Sequence, residues 1–159
     1  MKPITTVLLI AAVLLFAIPH RALADDPKNV ALNKPATASS EESDEHAAAK
    51  ANDGDDSTRW CADSGDAPQW WQVDLGAPTD LGSAQIRWEM DGKNYQYVIE
   101  GSTDGSNWQT LSDQSNTTAV SQVQSLTFKA TGIRYIRIRI TGLSDGSWAS
   151  IYEVKIFGS

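Results

Sequence analysis

The sequence predicts an all-β fold, a sandwich of short antiparallel strands, on three observations. In Tyr135-Ile136-Arg137-Ile138-Arg139-Ile140 the isoleucines alternate with Tyr and Arg, the period of a strand with one face in a core and one in water. Strand-like runs recur between clusters of Gly, Asp, Ser and Pro. After the N-terminal apolar run, no stretch sets apolar residues at helical spacing over three turns.

The N-terminus comes first. Lys2 precedes an apolar run from Val7 to Ile18, and Ala22-Leu23-Ala24 ends before Asp25-Asp26, the pattern of a secretory signal peptide over residues 1–24. As a helix that run would span only about 18 Å, short of a bilayer core of roughly 30 Å. The expected domain is 25–159, one core's worth of chain, exported to the extracellular side, the periplasm or the cell surface. Glu41 to Lys50 reads as a surface loop leading into a short helical turn, because its alanines follow a run of charges. Trp70 to Gly76 is a strand closed by a Gly-Ala-Pro turn. Alternation then puts Ala84, Ile86, Trp88 and Met90 on one side, and Val154 and Ile156 inward near the C-terminus. Asp104-Gly105 marks a hairpin loop.

Composition narrows the function. The chain carries 13 basic and 20 acidic residues, net −7; both leader charges, Lys2 and Arg21, are basic, so the remainder holds 11 basic against 20 acidic residues, net −9. That balance argues against nucleic acid and against an anionic membrane surface, since phosphate recognition needs clustered Lys and Arg. Beyond the leader there is one cysteine, Cys61, and one histidine, His46. No internal disulfide can form, and a zinc site built from several Cys or His ligands is excluded. Cys61, next to Trp60, reads as a small buried hydrophobe.

Four segments in order carry a family resemblance: 51–60 (ANDGDDSTRW), 69–76 (QWWQVDLG), 97–108 (YVIEGSTDGSNW), and 134–138 (RYIRI) with Glu153-Val154 and Phe157-Gly158. Together they resemble the discoidin, or coagulation factor five/eight type C, domain family, which shades into the family 32 carbohydrate-binding modules. The resemblance runs from about Asn29 to Ser159. It implies an eight-stranded, antiparallel, galactose-binding-like jelly roll with adjacent termini and a ligand site in loops at one end. Trp60, Trp71 and Trp108 read as core aromatics.

The turn Asp53 to Thr58 gathers hard oxygen donors of the kind calcium takes, though spacing alone favours a solvated acidic turn, and Ala49 and Ala51 stand where an EF-hand needs acids. The resemblance implies a structural Ca2+ held by the Asp53 carboxylate, carbonyls near Ala51 and Asp55, Thr58, and Glu153. Alternation with Val154 and Ile156 points Glu153 away from the core.

A sugar site asks for one exposed aromatic face and a few polar groups. Trp148, in the loop 143–148 before the last strand, offers that face, and the resemblance places the stacking aromatic in this loop. The second loop region, 88–95, contributes Trp88, Glu89 and Asn94. Asn94 matches galactose-binding relatives, whereas Glu89 stands near where they carry an arginine, so the resemblance implies a glycan without implying galactose. Glu42, Glu45, His46 and Asp63 lie on loops expected at the same end, with plain surface the alternative for each.

The leading expectation is a secreted, non-catalytic, lectin-like module whose partner is a glycan or glycoconjugate. An extracellular adhesion or protein-binding domain is the alternative; a small carboxylate-based glycosidase is third, as no motif supports it. Asn116-Thr117-Thr118 is a glycosylation acceptor in a host with that machinery.

Overall fold

A computed structural model describes residues 27–159; the leader and its cleavage point lie outside the described residues. Seven antiparallel strands, close to the expected eight, account for most of the described chain: β1 (Ala36–Ala38), β2 (Trp60–Cys61), β3 (Gln69–Trp88), β4 (Tyr95–Ser102), β5 (Gln109–Gln114), β6 (Val123–Leu143) and β7 (Ser150–Gly158). The Ala-rich segment forms two single 3-10 turns, Asp44–His46 and Ala48–Ala51.

Two long strands build both layers. The runs expected as separate strands at 70–76 and 84–90 belong to one continuous β3, bent between Asp74 and Leu81 by shifts in its pairing with β6. Glycines at positive φ, Gly76 (+86°) and Gly132 (+67°), sit at this corner, a backbone conformation that L side chains resist. Before the corner, β3 pairs with β1 and with 135–140 of β6, and β6 continues through β4 to β5. Beyond it, β3 pairs with 123–130 of β6 and with β7, whose start pairs with β2. The two layers face each other as a sandwich.

Between them lies the core expected from the alternation. Ile136, Ile138, Ile140, Ala84, Ile86, Val154 and Ile156 are all buried, with Trp60 and Trp71. These two indoles also satisfy their N–H groups: Trp60 donates to the Ser40 carbonyl and Trp71 to the Ala48 carbonyl, each at 2.9 Å, which pins the 40–51 segment onto the sheet ends. Trp108 is a correction. It is half-buried on the outer face, with the Arg137 guanidinium 4.0 Å over its ring, and Arg137 and Arg139 converge on the nearly buried Glu100. Met90 is likewise only partly buried, because β3 ends at Trp88. Asn29 bridges to Phe157 and the Val30 N–H donates to the Ile156 carbonyl, so the two ends of the described chain lie together. No helix among the described residues is long and apolar enough to cross a membrane.

Candidate functional site

One end of the second layer gathers the loops that carry the expected ligand residues. Main-chain bonds join them: the Glu42 N–H donates to the Cys61 carbonyl, Ala62 to Ala149, and Glu89 to Ser150. Beneath, Cys61 pairs with Ser150, and the Ser150 hydroxyl donates to the Trp60 carbonyl at 2.9 Å. Onto this frame opens a cleft of ≈ 230 Å³ lined by Glu42, Arg59, Cys61, Glu89, Met90, Gly146 and Trp148.

Trp148 is 39% exposed, against complete burial for Trp60, Trp71 and Trp88. Its indole edge lies along the loop 62–68, so close that a Cβ on Gly65 would come within 3.3 Å of Cδ1 and Nε1. The indole is thus held along the edge that carries Cδ1 and Nε1 while much of the side chain stays open to solvent, and stacking on a sugar needs such an accessible aromatic.

Charged groups on the cleft form a chain. Arg59 places Nε 3.1 Å from Glu89 Oε1 and Nη1 2.5 Å from His46 Nε2; His46 Nδ1 lies 2.5 Å from Glu42 Oε2. A guanidinium only donates, so His46 Nε2 accepts and the ring proton sits on Nδ1, donated to Glu42. Burial comes first among the causes that push the Cys61 thiol up, which keeps this cleft residue a protonated, inert side chain.

Of the six expected ligand residues, Trp148, Glu89 and Glu42 line the cleft, and His46 joins it through Glu42 and Arg59. The other two are corrections. Trp88 is fully buried and stacks on Tyr95, with centroids 4.3 Å apart and planes 5° from parallel, because it occupies the inward side of β3 shared with Ala84 and Ile86. Asn94 uses its amide nitrogen on the carbonyls of Thr117 and Ala119, both at 2.9 Å, and so fastens the β5–β6 loop. Arg59, Met90 and Gly65 escaped the sequence reading. Arg59 could have been flagged as a cation adjoining Trp60 in an acidic chain, but nothing local signals Gly65.

The acidic turn is a separate feature. The Thr58 hydroxyl lies within 3.3 Å of four oxygens: the Lys50 carbonyl, both oxygens of Asp53 and the Asp55 carbonyl. One proton can serve only one of them, so this oxygen-rich cradle is short of positive charge. Glu153 adds to it from β7. Its Oε2 accepts from the Gly54 N–H at 3.2 Å, while Oε1 is buried without a partner. Glu153 lies on the outer side of β7 with Lys155, opposite Arg87, as the alternation predicts, but the turn at Gly54 covers it and leaves it 2% exposed. A bulge comes just before it: Arg87 pairs with Glu153 but Trp88 with Ile151, so Tyr152 is an extra residue and Ile151 takes the inward side. Burial, with the charge of Asp53 a lesser cause, pushes the Glu153 carboxyl up to about 7.

These donors fit calcium. No group of three or more Asp, Glu, His or Cys side chains converges as a metal cluster among the described residues, so an ion here would draw on carbonyls and Thr58 as well as Asp53 and Glu153. The Lys50 carbonyl, rather than that of Ala51, is the one shown facing Thr58. The Asp55 carboxylate is occupied by the Ser57 amide and hydroxyl, leaving its carbonyl as the donor on that side.

Comparison with known proteins adds to this geometry. Over 67 residues, 42% of the chain, it is 36% identical to the polysaccharide lyase 8 family protein HylA of Enterococcus faecalis, and the match spans only 5% of that protein's length. Among solved structures it is similar to chitosan-binding module 1 of a chitosanase/glucanase from Paenibacillus sp. IK-5, with TM-score 0.74 and 32% identity over 82% of this chain and 99% of that one. Module 2 of the same enzyme, solved with chitotriose, gives 0.73 and 30% over 82% and 100%. The module CpGH89CBM32-4 of Clostridium perfringens, solved with GlcNAc-α-1,4-galactose, gives 0.72 and 25% over 86% and 97%. Residues 35–154 match the F5/8 type C domain, and the chain belongs to that family.

Proposed function

We propose that this chain is a secreted, non-catalytic module that binds glycans in the cleft beside Trp148. The observation that carries this reading is a tryptophan 39% exposed at the rim of a cleft whose polar groups, Glu42, Glu89 and Arg59, can hydrogen-bond sugar hydroxyls. The similar modules from Paenibacillus and Clostridium, with their bound chitotriose and GlcNAc-α-1,4-galactose, support it. Secretion rests on the leader pattern at residues 1–24.

Calcium has a structural role in this reading. Asp53, Thr58, Glu153 and the carbonyls of Lys50 or Ala51 and Asp55 would hold it, and it would supply the positive charge that the cradle lacks. The protein's own part is to pin the turn to β7, which the Gly54 to Glu153 hydrogen bond already begins.

A glycan array probed with the protein and with Trp148→Ala tests the function. Binding to at least one glycan that the substitution abolishes is the expected outcome; no hit, or hits indifferent to the substitution, would contradict it. A reducing-sugar release assay on any bound glycan is expected to show no cleavage.

A further inference from the structure

The carboxylates on the cleft bear on which sugar it takes. We propose that the Trp148 cleft selects an amino sugar whose nitrogen is free and protonated over its N-acetylated or uncharged counterpart; this rests on the glycan reading above. Glu42 is engaged through Oε2 and Glu89 through Oε1, and neither second oxygen has a hydrogen-bond partner among the described residues. Both side chains are reachable, 41% and 22% exposed, and both line the cleft with Trp148. An ammonium group brings three N–H donors and a charge, which suits two carboxylates each holding an oxygen in reserve. An acetamide brings one N–H, no charge, and a carbonyl oxygen that would face those same carboxylates.

The surroundings reinforce the sign. Asp63 and Asp66 flank Gly65 on the loop beside the indole, Asp145 lies on the loop before Trp148, and the whole chain carries net −7. The cations on these loops are already committed. Arg59 is held between Glu89 and His46, and Lys93 donates to the Asp145 carbonyl at 3.1 Å. Each carboxylate-to-ammonium contact is partly exposed and modest alone; two of them in an acidic cleft amount to about a tenfold preference at low salt.

Calorimetric titration of the whole protein at constant pH with the trisaccharides of glucosamine, N-acetylglucosamine and glucose tests this. The glucosamine trimer is expected to bind about tenfold tighter than the other two at low salt, with the gap closing at about 0.3 M salt. Glu42→Gln, at an exposed position, and Glu89→Gln should each shrink the gap by weakening glucosamine binding alone. Equal affinities that Trp148→Ala abolishes would overturn the selectivity while leaving the glycan reading intact. Glucosamine binding indifferent to all three substitutions would overturn it as unspecific attraction to an acidic surface. No binding by any of the trisaccharides would overturn it together with the glycan reading.

Discussion

Trp148 and Trp88 carry the same indole in opposite settings, 39% exposed and fully buried, and the difference is the side of the strand or loop on which each falls. Trp88 sits on the inward side of β3 against Tyr95, and its indole Nε1 is buried without a hydrogen-bond partner. Trp88→Ala is therefore expected to cost about 3–5 kcal/mol in denaturant unfolding, whereas Trp88→Phe, which removes no made hydrogen bond, should cost distinctly less; equal costs would contradict this packing. Gly65 tests the other indole. Its added Cβ would press on Trp148 from 3.3 Å, so Gly65→Ala should weaken glycan binding by displacing the ring, while the melting temperature stays within about 2 °C. Wild-type affinity in that variant would show that the ring's seat is unimportant. These residues also show what could be read in advance. Alternation placed Ile136, Ile138 and Ile140 correctly, because a period of two survives wherever a strand is regular. Counted back from Val154, the same rule would put Tyr152 inward and Ile151 outward; the extra residue Tyr152 reverses the phase there, so Ile151 is buried and Tyr152 lies under Arg87, and an isolated bulge leaves no trace in composition.

At the scale of elements, the acidic turn and β7 behave as one unit. Glu153 is buried with one oxygen unpartnered, and its carboxyl is pushed up to about 7 from an ordinary value of 4.5. A folded-state value above the unfolded one means that the folded chain holds this proton more tightly. Stability is then fully present below about 4.5 and is lost as pH rises toward 7, by roughly 2–3 kcal/mol. In chelator, melting temperature should fall across that window, and Glu153→Gln should flatten the fall. Added calcium should raise the melting temperature at neutral pH, where the carboxylate would otherwise be bare. A melting temperature at pH 7 indifferent to both chelator and calcium would contradict the site. The turn's oxygen content was legible from Asp53 to Thr58; its closure by the Lys50 carbonyl depends on the 3-10 turn Ala48–Ala51, whose position tertiary packing decides.

Across the whole molecule, two bent strands put the loops 40–48, 62–68, 88–94 and 143–149 around one end, and the proposed glycan cleft lies there, on segments that join the strands and anchor in the core only at their ends. The sandwich and the family were legible because four motifs at fixed spacing recur along the chain. Residues that announce themselves, an exposed Trp or a loop Glu, line the cleft as expected; Arg59 and Gly65 were not expected there, since their places depend on contacts between segments distant in sequence. Asn94 stands apart from the cleft lining for the same reason, its amide nitrogen being used by the β5–β6 loop. The central claim is that this end binds a glycan against Trp148. Amide and indole N–H resonances followed during titration with the glucosamine trimer test it most directly. The largest shifts are expected at the Trp148 indole N–H and at Gly65, Glu89 and Gly146, with Gly105, at the Asp-Gly hairpin, unmoved. Shifts centred on the Trp108 face, or none at saturating sugar, would contradict it.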